Sequence, residues 1–535
     1  MDGDEQAIKA YAIAVDVFGR TGNFDPQADP IVRVQARRLR SLLEQYYATT
    51  GDAEAVRISL PVGRYVPTFR RVQAEADDVP SVVVQPSTDQ RARPHGGITI
   101  SWLSLLAITV GVAVGAFALS NWRPGEAPLA QAGISTGPRI TIVEFQDLTG
   151  ASGRKPVVAG LALELVTDLN AFEDIDARYS SGGLPGDTAN NRSDFMLTGI
   201  VRRAEDAVQY SAILMDTGSG SVVWSRTIAV DEADAILASE LDDLSRTFSL
   251  VLGSPRGPLH APARRMLAGT TSLEGRETEY LCHVMFDLYR ETQTLDGGTR
   301  AAACFAALPE TQRQAALTLA ESASLLADGM DGPGGPPLVA VDDRLRVAGA
   351  NLERAAALAP LSGMVWEQRA RWFELQGQTD AAGAAYASSI QLNPANADAL
   401  AAYARLLALR GNLAQAEPLS DQALVSPMPP SWYYGVPTLV ALRDGDLTKA
   451  TSNAQTYSIA DPELGSVLAV TAAWRAKSAR VVSRYLPQVL EIATFRASGL
   501  LPRLRQRIGD EALLSQIGQA LSEAGAPRAA LDGPF

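Results

Sequence analysis

PLSGMVWEQRARWFELQGQTDAAGAAYASSIQLNP, from Pro360 to Pro394, reads as two helices with Gly377 at the turn between them. The pattern recurs. Gly377, Gly411 and Gly445 are spaced 34 and 34, as are Ala382, Ala416 and Ala450, and Ala370 and Ala404, like Pro360 and Pro394, are 34 apart. The glycine ends the first helix of each pair, the alanine lets paired helices approach closely, and the proline stops the second helix. Several independent positions sharing one period predict an all-α solenoid over residues 262–525. EYLCHVMFDLYRE and TRAAACFAALPE read as an earlier, degenerate pair, and the stretch after Glu463 as helices that cap the array.

A helix pair of this period resembles the tetratricopeptide repeat, which implies that the array binds a protein or peptide on a concave face. Cys282 and Cys304, the only cysteines, fall on the two helices of the degenerate pair. They form either a disulfide or two small buried thiols, since helix phase is not fixed by one sequence.

Between Arg93 and Arg123 lie 29 residues without Lys, Arg, Asp or Glu, with ITISWLSLLAITVGVAVGAFALSNW from Ile98 to Trp122 at their core. A hydrocarbon layer of about 30 Å takes roughly 20 apolar residues, so residues 98–122 are expected to cross a membrane once. Trp102 and Trp122 mark the two interfaces, and the charged residues before the span exclude a cleavable signal peptide. Arg91 and Arg93 just before the span favour a cytoplasmic N-terminus and a periplasmic C-terminal region, in an inner (cytoplasmic) membrane. Residues 1–97 hold 12 Lys+Arg and 13 Asp+Glu, which leaves 35 and 47 for the rest, so the acidity belongs to the exported part. Ala107, Gly111 and Gly115 form a stripe of small residues suited to pairing two such spans in a homodimer. Residues 72–97 and 123–137 are polar, Pro- and Gly-bearing linkers.

Within residues 1–71, DPIVRVQARRLRSLLEQYY from Asp29 sets Val32, Ala36, Leu39 and Leu43 on one helical face and arginines on another. VRISLPVGRYVPTF then reads as a small β-hairpin. Together they resemble the second half of an OmpR-type winged helix. The resemblance implies DNA contact through residues 29–71, with Arg33, Arg37, Arg38 and Arg40 on the recognition helix and Arg57, Arg64 and Tyr65 on the wing. The family's N-terminal sheet and first helix have no counterpart here, so the module is read as truncated. FDPQADPIVRVQARRLRSLLEQYY also resembles a module of rhizobial proteins labelled adenylate cyclase.

Residues 138–255 read as strand, helix, strand, three β-rich runs and a final helix, a small α/β domain. The order, with RITIVEFQD first and DTGSGSVVWSR late, resembles the TolB amino-terminal-like domain. Trp224 and Phe145 are read as core residues.

The fold class is therefore multidomain α+β: a truncated winged helix, one transmembrane helix, a small α/β domain and a tetratricopeptide solenoid. GASGRK lacks phosphate-loop spacing, and no paired-Asp cyclase core is present. His95, His260 and His283 are far apart and lack metal spacing with the cysteines, while Cys282 and His283 are helix neighbours that do not face each other. No enzyme, cofactor or metal is expected. Two functions remain: a membrane-anchored one-component transcriptional regulator arranged like the CadC and ToxR regulators, or a membrane-anchored scaffold whose array recruits a periplasmic protein while the N-terminal module is vestigial.

Overall fold

The computed structural model describes residues 43, 47, 56–61, 66–71, 136–149, 160–180, 193–204, 207–231, 238–269, 273, 275–330 and 341–535. The chain divides into two units, Met1–Gly125 and Glu126–Phe535. In the first, β1 (Val56–Ser59) and β2 (Thr68–Arg71) pair antiparallel in the register Val56↔Arg71 and Ser59↔Thr68, which is the expected hairpin. Tyr47, in helical conformation, accepts a hydrogen bond at its hydroxyl from the Ile58 amide at 2.6 Å, and the Arg57 guanidinium lies 5.6 Å from its ring centroid. Arg33, Arg37, Arg38, Arg40, Arg64 and Tyr65 lie outside the described residues, as do the predicted span 98–122 and its Ala107, Gly111 and Gly115. Among the described residues no helix is long and apolar enough to cross a membrane.

The second unit is mixed α+β. Its sheet has the order β5-β3-β6-β7-β8, from β3 (Arg139–Val143), β5 (Asp176–Ser180), β6 (Phe195–Ala204), β7 (Ala207–Asp216) and β8 (Val222–Asp231). β3 runs parallel to β5 and β6, while β6 with β7 and β7 with β8 are antiparallel. RITIVEFQD, expected as one strand, is two, because Phe145 leaves the ladder and β4 (Gln146–Asp147) pairs separately with β6. A Cβ at Gly199 would come within 2.2 Å of the Phe145 ring, so the glycine of LTGIV makes room for that ring. α1 (Leu161–Leu169) and α2 (Ala238–Leu252) bury Leu161, Leu165, Leu244 and Phe248 with Ile140, Leu197 and Tyr210 of the sheet. Trp224 meets Phe248 edge-on at 6.2 Å within that core.

After α3 (Ala261–Ala268) the chain is helical. Successive antiparallel pairs are α4 (Glu279–Thr292) with α5 (Leu295–Ala307), then, beyond the short α6 (Glu310–Arg313), α7 (Ala316–Ala327) with α8 (Val341–Leu358). α9 (Gly363–Leu375) with α10 (Thr379–Leu392), α11 (Ala397–Leu409) with α12 (Leu413–Ala423), and α13 (Gly435–Asp444) with α14 (Leu447–Ala460) carry the 34-residue period. α15 (Pro462–Arg475) pairs with α16 (Ala479–Glu491), and α17 (Ala493–Ser498), α18 (Leu500–Arg505), α19 (Glu511–Glu523) and α20 (Arg528–Asp532) close the array. The helices thus run to Asp532, beyond the boundary at 525 that the sequence suggests.

Gly377, Gly411 and Gly445 have φ of 72°, 88° and 77°, the left-handed conformation that ends a helix and admits a second at once. Ala382, Ala416 and Ala450 are fully buried, each in the second helix of its pair. Cys282 and Cys304 are joined by a disulfide, with Cα atoms 5.4 Å apart, between the two helices of the first pair. The turn between α15 and α16 has the same left-handed geometry without a glycine: Lys477 adopts φ 55°. A side chain in this region costs about 1–2 kcal/mol. Gly377→Ala, with nothing within 4 Å of the new Cβ, is therefore expected to lower stability by about 1 kcal/mol through the backbone alone. Lys477→Gly is expected to raise it by about the same amount. Denaturant midpoints moving in the same direction for both variants would contradict this account.

Candidate functional site

Paired helices that touch through alanine leave little room for long side chains at the pair interface, and those side chains gather elsewhere in the array. Arg371 of α9 donates to Asp328 at 2.9 Å and to the Gln368 side-chain oxygen at 3.1 Å. Asp328 also accepts from the Tyr289 hydroxyl at 3.0 Å. Arg405 of α11 donates to both Glu374 oxygens at 2.9 Å, and Tyr386 donates to the same carboxylate at 2.6 Å. Arg507, just after α18, donates to both Asp461 oxygens, one at 3.0 Å, and Tyr457 donates to Asp461 at 2.9 Å. A fourth set, Arg256 with Asp398 at 2.9 Å and the Tyr433 hydroxyl at 2.8 Å, lies where the α/β domain meets the array.

Each set is a guanidinium, a carboxylate and a phenol withdrawn from water together. Burial raises the Asp328 and Asp461 carboxyls, but the neighbouring guanidiniums outweigh it and hold both below the usual aspartate value. Burial and the adjacent Glu374 carboxylate keep the Tyr386 phenol protonated, well above the ordinary range. Three of these arginines, Arg371, Arg405 and Arg507, line one cavity of about 210 Å³ together with Arg290 of α4, Trp432 and Asp461. Its wall therefore draws on helices from α4 to the segment after α18.

The sequence places Arg371 and Arg405 one 34-residue period apart, on the positions that follow Ala370 and Ala404. The periodicity thus carried a signal for two wall residues. Arg507 lies three further periods on, 102 residues after Arg405, while Arg290 and the tyrosines keep no such spacing. Gly377, Gly411, Gly445 and the three periodic alanines are scaffold, and none lines this cavity.

A second buried cluster joins the loop between α1 and β5 to the array. Asp174 reaches His260 Nδ1 and His283 Nε2, each at 3.5 Å, so two histidines far apart in sequence meet on one carboxylate. His283 also pairs through Nδ1 with Glu321 and stands 3.6 Å from Asp287, while Tyr280 lies 3.1 Å from His260 Nδ1. Three buried carboxyls around one imidazole do not all ionise in so little water. Burial raises Asp287 and Glu321 despite His283. Burial lowers His260, and it acts the same way on His283, but there the charges of Glu321, Asp287 and Asp174 outweigh it and lift the imidazole well above its ordinary 6.5. Nearby, Ser362 donates to Glu173 and the Asn393 amide to the Ala171 carbonyl at 3.2 Å, which completes the junction. Among the described residues no group of His, Cys, Asp or Glu is arranged to hold a metal ion.

A histidine whose folded pKa exceeds its unfolded value takes up a proton on folding, so its contribution is complete below about pH 6.5 and is lost as pH rises through the folded pKa. The raised Asp287 and Glu321 act in the same direction, and the lowered His260 acts only below 6.5. The unfolding midpoint is expected to fall as pH rises above about 6.5, and His283→Gln is expected to flatten that slope. A slope unchanged in the variant would show that His283 does not carry it.

No protein-family model matches the chain, and no curated protein matches it. Among solved structures, TolB from Acinetobacter baumannii is similar at 20% identity over 21% of this chain and 27% of its own, with a TM-score of 0.15. The Cut9-Hcn1 hetero-tetramer of APC/C aligns at 14% identity over 55% of this chain and 60% of that one, with a TM-score of 0.34. The PelC dodecamer from Paraburkholderia phytofirmans aligns at 19% identity over 23% and 92%, with a TM-score of 0.16. The chain spans less than two thirds of the first two. With scores this low, the functional argument rests on the geometry above.

Proposed function

We propose that this chain is a membrane-anchored interaction scaffold whose helical array takes a periplasmic protein or peptide partner on its inner face. The observation that carries the reading is the cavity wall, which draws side chains from Arg290 to Arg507 into one surface from four helix pairs and the closing helices. Stacked helix pairs build extended inner surfaces of this kind. The uncharged stretch 98–122 supplies the anchor, and the Cys282–Cys304 disulfide fits an array on the oxidising side of the membrane.

A second reading, the one-component regulator, draws support from the β1–β2 hairpin and its contact with Tyr47, the arrangement expected of a wing packed on a recognition helix. It adds DNA to the partners of residues 29–71 and leaves the role of the array unchanged.

A photo-crosslinker at Ala460 in the cavity wall, tested in cells, is expected to give a discrete protein adduct, while one at Leu163, exposed on the α/β domain, is not. Adducts equal at both positions, or absent from Ala460, would remove the scaffold reading. Alkaline phosphatase fused after Gly525 is expected to be active and, fused after Phe69, inactive. The reverse pattern would overturn the assigned orientation.

A further inference from the structure

Three of the four arginines in the cavity wall are balanced at hydrogen-bond distance: Arg371 by Asp328, Arg405 by Glu374 and Arg507 by Asp461. Arg290 is not. Its side chain is 7% exposed, its nearest carboxylate oxygen, on Glu367, is 3.8 Å away, and the other oxygen of that carboxylate accepts from the Asn396 amide at 2.9 Å. The Arg290 Nε is buried without an acceptor among the described residues. So is the indole Nε1 of Trp432, whose ring lies 5.7 Å from the guanidinium. Arg290 and Trp432, both in the wall of one cavity, thus each keep a buried N–H donor without an acceptor among the described residues, a rare condition in native proteins. The wall contributes four guanidiniums against the single carboxylate of Asp461.

We propose that this cavity is an oxyanion-binding site, taking a carboxylate or phosphate group on the guanidinium of Arg290, the one in the wall without a carboxylate at hydrogen-bond distance. A guanidinium presents paired N–H groups at the spacing of two oxygens of such a group, and a site already shielded from water makes each charge-assisted bond stronger. The volume of about 210 Å³ admits the anion with a few further atoms, below the range of drug-sized pockets. The same chemistry reaches the site either as a free small anion or as an acidic side chain on the partner proposed above. It goes beyond the scaffold reading, because a free anion needs no protein partner.

The test uses the full-length chain, with inorganic phosphate, succinate and an Asp/Glu-rich hexapeptide each added against sodium chloride of matched ionic strength. At least one is expected to raise Tm saturably, by about 3 °C or more near a hundredfold excess over Kd. Arg290→Met is expected to abolish the rise while still unfolding in a cooperative transition. Arg290→Lys, which keeps the charge and loses the fork, is expected to weaken binding about 10- to 100-fold. Phosphate or succinate acting alone identifies a free anion, and the peptide acting alone identifies a partner side chain. No rise with any probe, or an equal rise in Arg290→Met, would overturn the site and leave the cavity filled by water. Phosphate binding without an Ala460 adduct would retain the site and remove the scaffold.

Discussion

A guanidinium taken out of water must find a carboxylate, and the arrangement of this array follows from how that requirement is met. Moving one ion into the interior costs several kcal/mol after relaxation, so an Arg as buried as Arg256 persists only with its countercharge in place. Its partner Asp398 is 142 residues away and is held by Tyr433 as well. The pair therefore ties the end of the α/β domain to α11 and to the turn before α13. Arg371 with Asp328 does the same between successive helix pairs, and Arg507 with Asp461 between the start of α15 and the closing helices. None of these bridges need add net stability over a well-packed apolar substitute, but each penalises any register that separates its partners.

Alanine packing explains why these charges collect where they do. Ala382, Ala416 and Ala450 have no exposed surface, so paired helices meet backbone to backbone. Long side chains of these helix pairs gather in the cavity wall, where Arg371, Arg405 and Tyr386 meet. The periodicity of small residues and the arginine-lined cavity are two consequences of one packing arrangement.

The two were not equally legible in the sequence. The glycine and alanine positions record local constraints, a left-handed turn and a close approach, and such constraints repeat with the repeat. At Lys477 the turn persists without the glycine, which is why the period fades after Gly445 although the helix pair continues. Arg371 and Arg405 share the period and stood in plain view. Arg290, Arg507, Asp461 and the junction of Asp174 with His260 and His283 are defined by partners tens to hundreds of residues apart, and no local pattern encodes such pairings. In the α/β domain the strands were legible from alternation, yet the break at Phe145 was not, because it depends on Gly199 in a neighbouring strand.

Charge distribution adds one more constraint. Residues 98–535 carry 35 Lys+Arg against 47 Asp+Glu, whereas the cavity wall holds four arginines and one aspartate. At physiological salt the field of exposed carboxylates decays within about 8 Å, so the acidic exterior does little to an anion already inside, although it opposes the approach of one from solution. Attraction inside is short-ranged and weakly screened because the guanidiniums are largely withdrawn from water. An anion entering such a site gains nothing from long-range steering and everything from fit, so the site discriminates by shape and hydrogen bonding more than by charge, with association slower than for a surface-steered partner.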